Sequence, residues 1–535
     1  MQWKIEYLIF RGDPVWYHLV QVVIHLVISV LLYGLVARVT KKWRVGLVAA
    51  LLYAPLSLTS MAIYWPSVHD PLAGVFYLLS ILLWMDHLES GSRLKGGLAF
   101  LAFMGALLTK EVSITLPAML FLADRIIVKK PASWMVLVKR YIAFIPALAI
   151  YAASQWIVIS RSEFTGQIGY RLGAQNLYVF VKFLSFLAYP WDADETFRYV
   201  WLGGVCLLFL YGCLRRDRRL LFLGAAAVLP VIIVAPIPPH LFNPRYLYLP
   251  LMASAVGFGL LLDLVIRVGQ RYKWVGIRVA MSLLIMIVGL VGSSTIAEQV
   301  TNFGGFIRQI RLQFRPIYQV HPSFAPDTYL YFFDTPLQTL DISGLMFLRY
   351  GPNVTVGGVD LNRADELRQH NTAYVYYLGD ENEFREQRVE KDVTFQITPV
   401  LPAQFQDSIA LERVEIASAK IKPGDALVLI LYWRADANVG QDYTVFAHLV
   451  NSQQQIAASS DSQPRRGLSP TSTWSAGRVQ PDGIVIPLDS SVDPGIYSVE
   501  LGLYDFASMR RLAIVDKNGV SVADKIAVGP IYVGE

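Results

Sequence analysis

The sequence predicts an α-helical, polytopic membrane domain over 1–300, followed by a small α/β module over 301–393 and an antiparallel β-sandwich over 394–535. Three observations carry this expectation. Apolar runs long enough to match a hydrocarbon core of roughly 30 Å, at about 1.5 Å per helical residue, recur up to about residue 296 with short charged gaps between them. After residue 301 no such run appears, and charged residues return to globular frequency. From residue 394 onward, short alternating runs are separated by turn signals, which is the pattern of half-buried strands.

The membrane part contains about ten candidate spans, each judged by the length needed to cross the bilayer. They are 17–39, 45–63, 71–85, 98–108, 114–128, 141–159, 200–214, 220–236, 247–266 and 275–296. A weaker segment, 177–189, is expected to lie at the interface or re-enter from the outer side, with Trp191 at headgroup level. The net charge of +6 does not point to nucleic acid, because the basic residues gather in the gaps. These gaps hold Lys41, Lys42 and Arg44; Arg93 and Lys95; Lys129, Lys130, Lys139 and Arg140; Arg215, Arg216, Arg218 and Arg219; and Arg267, Arg271, Lys273 and Arg278. The positive-inside tendency makes them cytoplasmic. The C-terminal domains then lie outside the cytoplasm. Cys206 and Cys213, seven apart in one apolar segment, are too distant on a helix for a disulfide.

In the C-terminal part, 328–333 and 373–378 read as strands and 364–370 as part of a helix. The runs 426–433, 443–450, 483–488 and 496–504 alternate between turns such as Lys422-Pro423-Gly424-Asp425 and Asp493-Pro494-Gly495. Regularly spaced short strands with such turns argue for a sandwich.

With that topology, the polar residues that cytoplasmic anchoring does not explain fall on the outer side. They are Glu6, Asp13, His69, Asp70, Lys110, Glu111, Glu163, Asp192, Asp194, Glu195, Asn243 and Arg245. A transporter would instead hold ionisable groups near mid-bilayer, at broken helices in repeated halves. Lys110 and Glu111 interrupt two apolar segments with almost no loop, so they act either as an ion pair fixing a hairpin or as part of a site. Asp70 precedes Pro71, which suits a helix N-cap. Arg245, Tyr246 and Tyr248 open a span after a proline-rich loop. His18 and His25 share a helical face and read as packed polar residues rather than metal ligands. Cations and tyrosine hydroxyls of this kind can hold a lipid phosphate, and a carboxylate can deprotonate an attacking hydroxyl.

Taken in order, Tyr17-His18-Leu19-Val20 with His25-Leu26, Val68-His69-Asp70-Pro71-Leu72-Ala73, Leu108-Thr109-Lys110-Glu111-Val112 with Leu116-Pro117, and Arg245-Tyr246-Leu247-Tyr248-Leu249-Pro250 resemble the GT-C superfamily of polyprenyl-phosphate-sugar-dependent glycosyltransferases. The nearest branch in pattern is the protein O-mannosyltransferase type and its bacterial relatives. The resemblance covers most of residues 1–296, and the strands at Leu431-Tyr432-Trp433-Arg434-Ala435 and Tyr443-Thr444-Val445-Phe446 look like a module appended to such enzymes. It implies transfer of a sugar from a polyprenyl-phosphate donor to a hydroxyl on a glycan, lipid or protein acceptor, at the outer face of a bacterial plasma membrane. It also implies that Lys110 and Arg245, with Tyr246 and Tyr248, contact the donor phosphate. Glu111 would orient the site as a catalytic residue, Asp70 would serve beside it by holding an external loop, and His69 would position that loop. No cofactor beyond the lipid-linked donor follows, and a metal requirement is left open. The chain departs from the pattern in lacking an arginine near His69. The resemblance further implies that a first transmembrane helix and the principal catalytic carboxylate precede Met1, so that the chain from Met1 has weak or no turnover. Asp13 lies too near the next helix to take that role.

A different class of function is a non-catalytic membrane protein whose sandwich binds glycans or proteins. An exposed row of Trp433, Trp474 or tyrosines would favour it through sugar stacking. Trp433, in a strongly apolar strand, is expected to be buried.

Overall fold

The computed structural model describes residues 6, 8–10, 14–65, 69–127, 133–161, 173–191, 193–214, 218–237, 239, 242–272, 274, 276–333, 335, 337, 339–358, 364–379, 382–391 and 394–534. Lys4, Arg11, Asp13, Val68, Lys129, Lys130, Glu163, Asp192, Arg215, Arg216 and Lys273 lie outside the described residues. The chain divides into two compact units, 1–304 and 305–535. The first is mostly helical with several apolar helices, and the second is rich in antiparallel strands.

The helices of the first unit are α1 (Pro14–Thr40), α2 (Trp43–Tyr53), α3 (Ser60–Tyr64), α4 (Asp70–Ser90), α5 (Arg93–Thr109), α6 (Leu116–Ile127), α7 (Trp134–Tyr141), α8 (Phe144–Arg161), α9 (Ala174–Ala188), α10 (Glu195–Leu214), α11 (Arg218–Val234) and α12 (Leu251–Arg271). The unit boundary falls within α13 (Ile277–Val320). Among the described residues, five helices are long and apolar enough to cross a membrane, or up to seven if two bent pairs each count as one. The ten expected segments are all helical, but several fall short of a full span. At 17 residues each, α5 and α11 rise about 25 Å, less than a hydrocarbon core of about 30 Å. The expected span 45–63 is broken between α2 and the turn Ser57–Thr59, with a bend of 61° across the pair. Pro55 and the helix-ending turn before it account for that break.

Close approach of backbones sets the packing of the first two helices. A Cβ on Gly46 would stand 2.7 Å from the Tyr33 carbonyl oxygen, so only glycine fits there. At one set of helix ends the charged gaps close on acidic partners. Arg38 pairs with Asp86 at 2.5 Å and Glu89 at 2.6 Å, Lys42 with Asp263 at 2.7 Å, and Arg140 with Asp124 at 2.8 Å. Gly91, at φ 68°, ends α4 in the left-handed conformation that glycine adopts without strain.

The second unit begins with β1 (Thr328–Phe332), α14 (Thr339–Tyr350), β2 (Val354–Gly358), β3 (Thr372–Leu378) and β4 (Phe384–Arg388). They form a sheet of order β2-β1-β3-β4, parallel except for β4. Side chains alternate between its faces. Leu330, Phe332 and Tyr376 pack against Ile310, Phe314, Ile342 and Met346 of α13 and α14. Tyr329, Tyr331, Val375 and Tyr377 pack on Val428, Ile430 and Tyr432.

The remaining strands are β5 (Gln396–Thr398), β6 (Ala403–Gln404), β7 (Ile409–Ile416), β8 (Lys420–Ile421), β9 (Ala426–Ala435), β10 (Thr444–Val450), β11 (Ile456–Ser462), β12 (Val479–Pro487), β13 (Gly495–Asp505), β14 (Arg510–Arg511), β15 (Ile514–Val515), β16 (Ser521–Ala523) and β17 (Ile526–Val533). One sheet runs β12-β9-β7-β6 and another runs β11-β10-β13-β17-β5. Their inward residues, among them Leu429, Leu431 and Trp433 from the first and Val445, Leu501 and Val528 from the second, share one apolar core. The strand β9 is therefore covered on both faces, which is why it reads as an unbroken apolar run rather than an alternation. Trp433 is fully buried, as expected, and Trp474 is buried as well, with its indole N–H donating to the Ser469 carbonyl at 3.0 Å.

Candidate functional site

Asp70, Lys110, Glu111, Arg245 and Tyr246 are brought together although Asp70 and Tyr246 are 176 positions apart in sequence. Each is placed by a local break. Asp70 is the first residue of α4, with Pro71 behind it, and His69 is the capping residue, which makes no side-chain cap bond. The carboxylate expected to cap the helix instead faces Lys110, its Oδ2 lying 3.4 Å from Nζ. Lys110 ends α5 in extended conformation and leads into the turn Glu111–Thr115. That turn is tied to α4 by a hydrogen bond of 2.9 Å between the Tyr77 hydroxyl and Thr115 Oγ1. Lys110 Nζ is also 3.7 Å from Glu111 Oε1.

The burial of these charges differs sharply. The side chain of Asp70 is 6% exposed, that of Lys110 18% and that of Glu111 47%. Asp70 is therefore the buried counter-charge that makes a desolvated lysine tolerable, and Glu111 is the carboxylate within reach of solvent.

Arg245 lies in the turn Pro244–Leu247, whose start is capped by the Asn243 side chain accepting the Arg245 backbone N–H at 2.9 Å. Its guanidinium stands 5.1 Å from the centre of the Tyr246 ring, and Lys110 Nζ stands 5.6 Å from the same ring. Two cations thus share one aromatic ring. Lys110 is neutralised by carboxylates, whereas Arg245 makes no ion pair among the described residues and its Nε is buried without a hydrogen-bond partner.

Tyr248 belongs to a different group. Its hydroxyl meets His25 Nδ1 at 2.6 Å, and its carbonyl accepts the Tyr53 hydroxyl at 2.9 Å. His25 Nε2 is 3.1 Å from the Ala54 carbonyl. This network joins α1, α2 and the start of α12, and Tyr248 is fully buried within it. Tyr53 was not singled out from the sequence, since a lone tyrosine in an apolar helix carries no signal of its partner.

His69 is half-buried, and its Nδ1 has no hydrogen-bond partner. It lies within electrostatic range of Lys110, Asp70 and Glu6. Glu6 is buried at 5% exposure, a third carboxylate near the cluster that the sequence marked only as one of many external polar residues.

Within the bundle lies an apolar cavity of about 80 Å³, lined by Leu32, Tyr77, Leu78, Leu249, Met252 and Leu260 among others. It follows α12 from Met252 to Leu260, a rise of about 12 Å, and Thr40 and Arg219 also line it. Among the described residues no group of three or more His, Cys, Asp or Glu side chains is arranged to hold a metal ion. Compared with known families and curated proteins, the chain matches no family model and no curated sequence.

Proposed function

We propose that the chain is an integral membrane glycosyltransferase of the GT-C type, moving a sugar from a polyprenyl-phosphate donor to a hydroxyl acceptor on the extracytoplasmic side. Its second unit, with two antiparallel sheets around one core, is an extracytoplasmic β-sandwich with an α/β module packed against it. The observation that carries the reading is the half-neutralised cation cluster, in which Arg245 and Lys110 flank Tyr246 and only Lys110 is paired with carboxylates.

A lipid phosphate has the complementary charge, an anionic head on an apolar chain. Its oxygens would accept hydrogen bonds from Arg245 and Lys110, and charge-assisted bonds of this kind are among the strongest available. The acceptor hydroxyl attacks the anomeric carbon, the bond from that carbon to the phosphate oxygen breaks, and polyprenyl phosphate leaves with the electron pair. The same cations hold the charge that develops on the leaving phosphate, which is where preorganised donors lower a barrier most. Glu111 is the exposed carboxylate placed to take the hydroxyl proton, and Asp70 holds Lys110 in position.

The non-catalytic alternative called for an exposed row of Trp433, Trp474 or tyrosines; Trp433 and Trp474 are both buried, whereas Tyr532 is 44% exposed.

Binding of a sugar-free polyprenyl phosphate to the purified full chain in detergent tests the donor site. Native mass spectrometry should show one bound lipid, with affinity lowered at least tenfold in Lys110→Ala and in Arg245→Ala and unchanged in Lys517→Ala. Equal binding by all four proteins would refute the assignment.

A further inference from the structure

The helical unit holds a groove at the helix ends opposite the proposed donor site. Asp70 opens α4 and His87 lies in its last turn, so about 26 Å of helix separates them. The groove forms where the turn between α4 and α5 meets the 44° bend between α7 and α8, and it holds about 390 Å³ of space. Its floor is aromatic and fixed. The Phe144 ring, buried like that of Trp84, stands 5.7 Å from Trp84 and 5.4 Å from Phe100. The Trp84 indole N–H donates to the Tyr141 hydroxyl at 3.3 Å. A Cβ on Gly96 would stand 3.1 Å from the His87 ring, so α5 already lies close against that ring. A groove with a packed floor is preorganised, and little ordering opposes a ligand.

The charges around it are of one sign. His87, Arg93, Lys139 and Arg140 line the groove, and among the described residues no acidic side chain does. Arg140 is held by the buried Asp124 at 2.8 Å. The nearby acids on α4 are taken elsewhere, Asp86 by Arg38 and Lys95 and Glu89 by Arg38. Arg93 and Lys139 are exposed and make no ion pair among the described residues. The walls between these cations are apolar, with Val136 and Ala143 beside the aromatic floor. Ile142 and Ile145, adjoining Ala143 and Phe144 in sequence, are 55% and 64% exposed.

We infer that this groove holds one anionic phospholipid, its phosphate facing Arg93 and Lys139 and its glycerol and first acyl carbons against the aromatic floor. The volume falls within the roughly 300–1,000 Å³ of a site for one small molecule. Two unpaired cations with no acid among them call for an anion. A fully water-soluble anion would gain from the cations and leave the apolar walls unmatched, whereas an amphiphile satisfies both. Basic pockets between helices on the cytoplasmic side are where anionic headgroups are bound, and these are the helix ends whose basic gaps the charge asymmetry assigns to the cytoplasm. The inference rests on the membrane placement in the proposed function and not on the sugar transfer.

The test is native mass spectrometry of the purified full chain in neutral detergent, titrated with phosphatidylglycerol, phosphatidylcholine or water-soluble glycerol phosphate. The expected result is one bound phosphatidylglycerol, favoured at least tenfold over phosphatidylcholine, and no bound glycerol phosphate. Binding should weaken at least tenfold in Arg93→Ala/Lys139→Ala. It should not change in Lys110→Ala/Arg245→Ala, which separates this groove from the donor site. Phosphatidylglycerol should also raise the unfolding temperature of the parent chain and not that of Arg93→Ala/Lys139→Ala, because a ligand that prefers the folded state stabilises it. Equal binding of the two phospholipids, binding indifferent to Arg93 and Lys139, or binding lost with Lys110 and Arg245 would each overturn the inference. Saturable glycerol phosphate binding that depends on Arg93 and Lys139 would overturn it too, reassigning the groove to a soluble anion. Flotation with phosphatidylcholine vesicles checks the membrane placement separately. A chain that fails to float overturns both readings, and one that floats without preferring phosphatidylglycerol overturns this inference alone.

Discussion

Lys110 shows how far a single residue could be read from sequence. A charged pair between two apolar segments marked a costly position, and the structure supplies the missing partner, Asp70, from forty positions upstream. The pairing itself was not legible, because sequence spacing says nothing about which helix end faces which. The same limit applies to Tyr248. Its place in the motif grouped it with Arg245 and Tyr246, yet its hydroxyl is engaged by His25. Replacing Tyr248 with phenylalanine should leave His25 Nδ1 buried without its partner, costing about 1–3 kcal/mol of stability. Thermal unfolding in detergent should register that loss while lipid-phosphate binding stays unchanged. A fall in binding without a fall in stability would return Tyr248 to the donor site. In the second unit, the Asp327 carboxyl is held below its ordinary range, first by its hydrogen bond with His370 and then by the Asn371 backbone N–H. A depressed carboxylate contributes stability above its unfolded value of about 3.9, and that contribution is lost as pH falls through the lower folded value. Asp327→Asn should therefore lower the unfolding temperature at pH 6 and cease to matter near pH 2. A deficit that persists at pH 2 would contradict this origin.

At the scale of elements, hydropathy located the helices well and their lengths less well. The apolar segments are helical, but among the described residues the number able to cross alone is five, or up to seven with bent pairs, because breaks such as the one after α2 do not alter average hydropathy. Strand β9 was legible for the opposite reason. An unbroken apolar run of Val, Leu, Ile and aromatics can sit in a sheet only if both faces are covered, and here the α/β module covers one and the second antiparallel sheet the other. The α1–α2 contact was not legible, since Gly46 looks like any other glycine in a membrane helix. A valine there would press on the Tyr33 carbonyl. Overpacking of this sort costs about 1–3 kcal/mol. Gly46→Val should accordingly unfold at lower temperature than Gly46→Ala, and both below the parent. Unchanged unfolding of Gly46→Val would mean that the two helices are free to separate.

For the whole molecule, the division of labour follows from where charge and apolar surface are placed. One unit combines a polar cluster at helix ends with a small apolar cavity running along α12, and the other packs an α/β module and two antiparallel sheets on the shared strand β9. The transfer proposed for the first unit requires the cation pair and Glu111 to act on one bound donor. Turnover of a radiolabelled polyprenyl-phosphate hexose by the purified full chain, with Lys110→Ala, Arg245→Ala and Glu111→Gln beside it, tests this most directly. Lipid binding by the parent chain that is lost in Lys110→Ala and Arg245→Ala, with whatever turnover the parent shows reduced at least a hundredfold in all three variants, is the outcome the account predicts. Lipid binding or turnover that survives loss of Lys110 and Arg245 would contradict it.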